Sequence, residues 1–238
     1  VTTPAHSRSR IASRLDATRW WGFILYAALS VIHVTAIAFD LTAIEYPTKL
    51  LLMPALGIAA IWAVRGRLPT GSTALPAATL LFLALAFSWL GDGAAFFFPF
   101  LADELPAMLA SFGIAHLLYI ALFLRHLRPR PIAPWSVVYA AWWGVMIAVL
   151  WPHLGALLIP VIVYGAVLGG TAVAATLGGT LTAVGGAFFL ASDTLLALRL
   201  FLPGVSAEAT GPAVMIAYTL GQGLLVLGIC RLIGRAPR

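Results

Sequence analysis

Two aspartates, Asp92 in SWLGDGAAFFF and Asp193 in GGAFFLASDTLLAL, stand in stretches otherwise built from apolar and small residues. An ionised carboxylate at the centre of a bilayer costs roughly 2.5–3.5 kcal/mol even on insertion scales, so a chain keeps one there chiefly where it faces a polar cavity with chemistry to perform. Two carboxyls brought together in a low-dielectric site cannot both ionise readily. A pair that shares one proton supplies an acid and a base side by side. The chemistry expected of Asp92 and Asp193 is therefore general acid–base catalysis on a substrate that reaches the membrane interior.

The elements that must position them follow from composition. Of 238 residues, 62% are hydrophobic and 9% charged. A soluble domain carries about 25% charged residues, and a β-barrel reads as alternating ten-residue segments rather than runs such as LLFLALAFSWLG. The predicted fold is all-α, a polytopic membrane bundle of eight transmembrane helices over 20–39, 47–64, 75–98, 105–124, 133–150, 154–173, 180–202 and 211–232. Residues 1–18 are expected to form a flexible basic tail and 19–238 a single transmembrane domain. The net charge of +6 is no nucleic-acid signal, because the arginines gather in the tail, in the short loops at 65–67 and 125–130, and at Arg231, Arg235 and Arg238. By the positive-inside rule these sides and both termini are cytoplasmic. Asp40, Glu45, Asp103, Glu104 and Glu208 fall on the opposite side, with Lys49 and Arg199 the only cations there. Cys230 is the only cysteine and is given no role.

In this topology the third and seventh spans run the same way, and Asp92 and Asp193 reach one depth in the outer half of the bilayer. SWLGDG is echoed by FLASDT, and His116 and Tyr218 follow the two aspartates at a similar interval, as two parallel four-span halves would produce. Gly165, Gly169, Gly170, Gly178, Gly179, Gly185 and Gly186 are expected to let helices approach closely. Pro54 and Pro160 are expected to interrupt their spans and free carbonyls that neighbours must satisfy.

Four strings in order, TKLLLMP (48–54), SWLGD (88–92), FGIAHLLYIALF (112–123) and FFLASD (188–193), make the chain resemble the YhhN or lysoplasmalogenase family. The resemblance implies an integral membrane enzyme, in a bacterial-type plasma membrane, that hydrolyses the vinyl ether bond of lysoplasmalogens. The products would be a fatty aldehyde and glycerophosphoethanolamine or glycerophosphocholine. It implies Asp92 and Asp193 as active-site carboxyls with Lys49, His116 and Tyr119 as neighbours. The expected partners are a lysophospholipid and membrane lipids, with no cofactor. Where relatives often carry a glycine six residues before the histidine, this chain has Ala110, expected to shift a helix contact.

The residues suit that reaction. Vinyl ethers hydrolyse through protonation of the alkene carbon to an oxocarbenium ion that water attacks, and glycosidases meet a similar cation with one neutral and one charged carboxyl. Asp193 is assigned as the acid and Asp92 as the base. His116 and Tyr119, one turn apart, share a helix face, and the histidine is expected to hydrogen-bond an aspartate or a water. Lys49 is placed to meet a headgroup phosphate, although snorkelling to the interface explains it equally; Arg199 is the second such candidate. Ser88 and Ser192 are expected to bond backbone or orient the carboxyls, since no Gly-x-Ser-x-Gly elbow surrounds them. Three rival readings stand beside this one. They are a metal held by Asp92, Asp193, His116 and His33, without any HExxH pattern to support it; a proton-coupled transporter or lipid-binding protein; and aspartates paired structurally to Lys49 or Arg199.

Overall fold

The computed structural model describes residues 20–65, 74–127 and 130–233. The tail predicted at 1–18 lies outside the described residues, as do Arg67, Arg128, Arg235 and Arg238 of the charge pattern. Among the described residues the chain forms helices α1 (Trp21–Ala38), α2 (Thr42–Val64), α3 (Ala74–Asp92), the short α4 (Ala94–Phe97), α5 (Leu105–His126), α6 (Val138–Leu154), α7 (Leu158–Ala175), α8 (Thr180–Phe201) and α9 (Ala207–Ile233).

Seven stretches are long and apolar enough to cross a membrane, and the longest, Pro134–Gly178, contains 45 residues. A straight helix of that length would be about 68 Å long, twice the thickness of a hydrocarbon core. The chain instead turns at Gly155, whose φ of +49° lies in the left-handed region that glycine adopts without a Cβ clash. Trp143 Nε1 donates to the Ile162 carbonyl at 3.1 Å, and Gly169 rests against the Tyr139 carbonyl, so α6 and α7 run antiparallel. The long apolar helices thus number eight, as the hydropathy pattern predicts.

Their outer faces are apolar. Ile24, Val31, Ile58, Leu117, Val145 and Ile159 are all exposed, an arrangement that water would penalise and lipid tails accept. Helix association then depends on close backbone approach. A Cβ on Gly185 would stand 2.6 Å from the Leu225 nitrogen, and one on Gly221 2.6 Å from the Phe189 nitrogen, so α8 and α9 meet backbone to backbone. Helix α9 also touches α1, α2 and α3 and forms the centre of the bundle.

Two expectations about interrupted helices change. The span predicted at 75–98 ends at Asp92, and Gly93 follows in a turn so closely packed that a Cβ would come within 2.5 Å of the Phe97 ring and 2.8 Å of Leu50. The short α4 starts after it. Pro160 sits in the first turn of α7, where its missing N–H forfeits no helical bond. Pro54 lies inside an α2 that continues through it. Its absent N–H leaves the Leu50 carbonyl free, and Trp89 Nε1 from α3 donates to that carbonyl at 2.9 Å. Ala110 is exposed, so it shifts no helix contact.

Candidate functional site

Asp92 closes α3, and Asp193 lies two-thirds of the way along α8. Both line one cavity of about 310 Å³ that is enclosed by α1, α2, α3, α5, α7, α8 and α9. The parallel run of α3 and α8 therefore brings the two carboxyls to the same chamber, as their sequence positions suggest. Lys49, Arg199 and Ser192 line it too, together with Asp40, Glu45 and Glu208 toward its exposed end.

Each carboxylate is held by a tyrosine. The Tyr218 hydroxyl of α9 donates to Asp92 Oδ2 at 2.7 Å, and the Tyr164 hydroxyl of α7 donates to Asp193 Oδ2. Hydrogen bonds of this kind, with a charged acceptor, fix a carboxyl rotamer and leave its second oxygen for a ligand. Among the described residues neither Oδ1 has a protein hydrogen bond, and neither aspartate is ion-paired to Lys49 or Arg199. The reading of the aspartates as structural ion pairs is thereby set aside.

His116 is fully buried. Its Nε2 lies 3.9 Å from Asp193 Oδ2, close enough to feel the charge and too far for a hydrogen bond. Of the two expected partners, an aspartate or a water, the aspartate is thus not bonded directly, and Tyr164 is the donor on that oxygen. Among the described residues neither ring nitrogen has a hydrogen-bond partner, and the imidazole is wedged against Phe189, centroid to centroid 4.7 Å, and Tyr164 at 5.8 Å. The internal echo takes a crossed form. His116, which follows Asp92 in sequence, stands beside Asp193, while Tyr218, which follows Asp193, bonds Asp92.

Tyr119 and Ser88 are not part of the cavity wall. Three residues beyond His116, Tyr119 is displaced by about 4.5 Å along α5, away from the chamber. Its hydroxyl donates to Gln222 Oε1 at 2.8 Å, and Gln222 Nε2 donates to Ser88 Oγ at 3.0 Å. These groups form a buried chain behind the site, one turn deeper than the Asp92–Tyr218 bond on the same two helices, α3 and α9. Ser192 Oγ donates to the Val214 carbonyl at 3.0 Å and so ties α8 to α9 next to Asp193.

Tyr164 and Gln222 carry no sequence signal, since each is a lone polar residue in an apolar helix. Tyr218 was marked only by its interval from Asp193. Among the described residues no three His, Cys, Asp or Glu side chains gather as a metal ion would require, so the ligand set of Asp92, Asp193, His116 and His33 does not assemble.

No curated protein and no solved structure matches the chain. Residues 44–229, which carry nearly all of the second through the last long helix and every group described above except Asp40 and those of α1, match the YhhN family, and the chain belongs to that family.

Proposed function

We propose that the protein is a lysoplasmalogenase-like ether hydrolase that adds water across the vinyl ether bond of a lysoplasmalogen within its membrane. The observation that carries the reading is the pair of tyrosine-held carboxyls on one cavity, supported by membership of the YhhN family. Asp193, in its acid form, gives its proton to the alkene carbon remote from the ether oxygen. The π electrons make the new C–H bond, and an oxygen lone pair forms the oxocarbenium ion. Asp92 removes a proton from water as that water bonds to the cationic carbon. The hemiacetal then loses its hydroxyl proton to Asp193, its carbon–oxygen bond to glycerol breaks, and the glycerol oxygen takes the proton held by Asp92, which restores both carboxyls. His116, whose Nε2 is 3.9 Å from Asp193 Oδ2, orders a water beside that carboxyl.

Lys49 and Arg199 meet the phosphate of the headgroup while the alkenyl chain extends along the apolar wall that includes Met108, Leu109 and Val161. The test is release of fatty aldehyde from lysoplasmenylethanolamine by purified protein, run beside Asp92→Asn, Asp193→Asn and a lysoacyl control. Aldehyde from the wild type alone supports the reading. A folded wild type that binds lysolipid and releases nothing overturns it and favours a lipid-binding or transport role.

A further inference from the structure

His33 on α1 has no task in that reaction, and it precedes residue 44, outside the segment matched to the family. The ring is fully buried, and with Ile37 and Asp40 of the same chain face it lines the cavity. Its Nδ1 lies 2.9 Å from Thr48 Oγ1. The Thr48 hydroxyl has one hydrogen, and its oxygen stands 2.6 Å from the Ile44 carbonyl oxygen. Two oxygens hold that separation only with the hydrogen between them. Thr48 therefore donates to backbone and must accept from the ring, so the imidazole proton is on Nδ1 and Nε2 presents a bare lone pair.

Nε2 has no partner among the described residues. A buried acceptor left unpaired is destabilising, and a ring pinned in one tautomer on a residue that lines the cavity is satisfied by a donor that enters it, a water or a ligand hydroxyl. An ester or ether oxygen cannot supply one; a hydroxyl can. The anchor, Thr48, immediately precedes Lys49, the group assigned above to the phosphate. In a lysolipid the sn-2 hydroxyl lies between the phosphate-bearing carbon and the carbon that carries the vinyl ether. Building on the lysolipid reading of this cavity, we infer that His33 Nε2 accepts the hydrogen bond of the sn-2 hydroxyl, and that this residue selects single-chain lipids with a free hydroxyl over lipids in which that oxygen is esterified.

The test uses saturated alkyl-ether lysolipids, which have no vinyl bond to cleave, in two forms, one with the sn-2 hydroxyl and one 2-deoxy. Calorimetry on the purified full chain in detergent gives the ratio of dissociation constants. The wild type is expected to bind the hydroxyl form at least about tenfold tighter, because a site built to bond a hydroxyl rejects an analogue without it. His33→Phe is expected to bind both forms equally, and His33→Gln, with a carbonyl acceptor at similar reach, to recover part of the ratio. Thr48→Val leaves the ring but releases its tautomer and is expected to shrink the preference. No preference in the wild type, or full preference in His33→Phe, overturns the inference; where His33→Phe does not fold, the wild-type ratio and Thr48→Val decide it. Aldehyde release measured on the same preparation separates the two readings. Preference without aldehyde supports the role of His33 while hydrolysis fails, and aldehyde without preference does the reverse.

Discussion

Each residue of the site acts through what holds it. Asp92 and Asp193 are specified by the sequence as polar groups too costly to be idle, but their orientation comes from Tyr218 and Tyr164. Replacing either aspartate by asparagine is expected to lower kcat by at least about 100-fold, the loss of an acid or base step, with the protein still folded. A steady-state assay of aldehyde release checks this. Tyr218→Phe and Tyr164→Phe each remove one hydrogen bond to a site carboxyl, and kcat is expected to fall about 10- to 100-fold with little change in KM. If KM rises and kcat holds, the tyrosines bind lipid rather than orient carboxyls. Lys49→Gln and Arg199→Gln are expected to show the opposite split, raising KM more than they lower kcat, because a headgroup contact is present equally in ground and transition states. The conserving choice at each position is a hydrogen-bond argument, and the sequence alone could not supply it for Tyr164, which is one aromatic among many in VIVYGAVL.

The elements show how the site is kept in register without a hydrophobic drive between helices. Gly185 and Gly221 bring the α8 and α9 backbones together beneath Asp193 and Tyr218. Gly185→Ala or Gly221→Ala places a Cβ 2.6 Å from a backbone nitrogen, and neither helix can yield locally. Each is expected to destabilise by about 1–3 kcal/mol, seen as a lower Tm in detergent. Gly57→Ala meets no atom within 4 Å and is expected to be neutral or stabilising by up to about 1 kcal/mol through helix propensity. Equal effects at all three glycines would remove close approach as the cause. The glycine pattern of the seventh span was legible as packing, yet its partner Gly221, isolated in YTLGQG, was not. Pro54 gives the complementary case: the sequence shows which carbonyl must be freed, and only the fold shows that Trp89 of the SWLGD string satisfies it.

At the scale of the whole molecule, charge is segregated along the bundle. Asp40, Glu45 and Glu208 edge the cavity of the two aspartates, whereas Arg130 lies by Gly179 at the opposite end of α8. By the positive-inside rule we propose that the cavity opens away from the cytoplasm. Single cysteines at Glu104 and Arg130 are expected to react with a membrane-impermeant maleimide from opposite sides, Glu104→Cys from outside and Arg130→Cys only after permeabilisation. The native Cys230 is fully buried and is expected to remain unlabelled. Reversal of the two labels would invert the proposed orientation and place the headgroup end of the cavity inside. The sequence by itself determined the class, the number of long helices, and the two aspartates at one depth, because hydropathy, span length and the cost of a buried charge are properties of local composition. Only the tertiary structure decided which donors serve which carboxyl, that Tyr119 and Ser88 stand behind the site with Gln222, and that His33 faces the cavity with one nitrogen already taken. Those depend on how helices distant in sequence rotate against one another, and in a chain whose faces are all apolar no periodicity records that rotation.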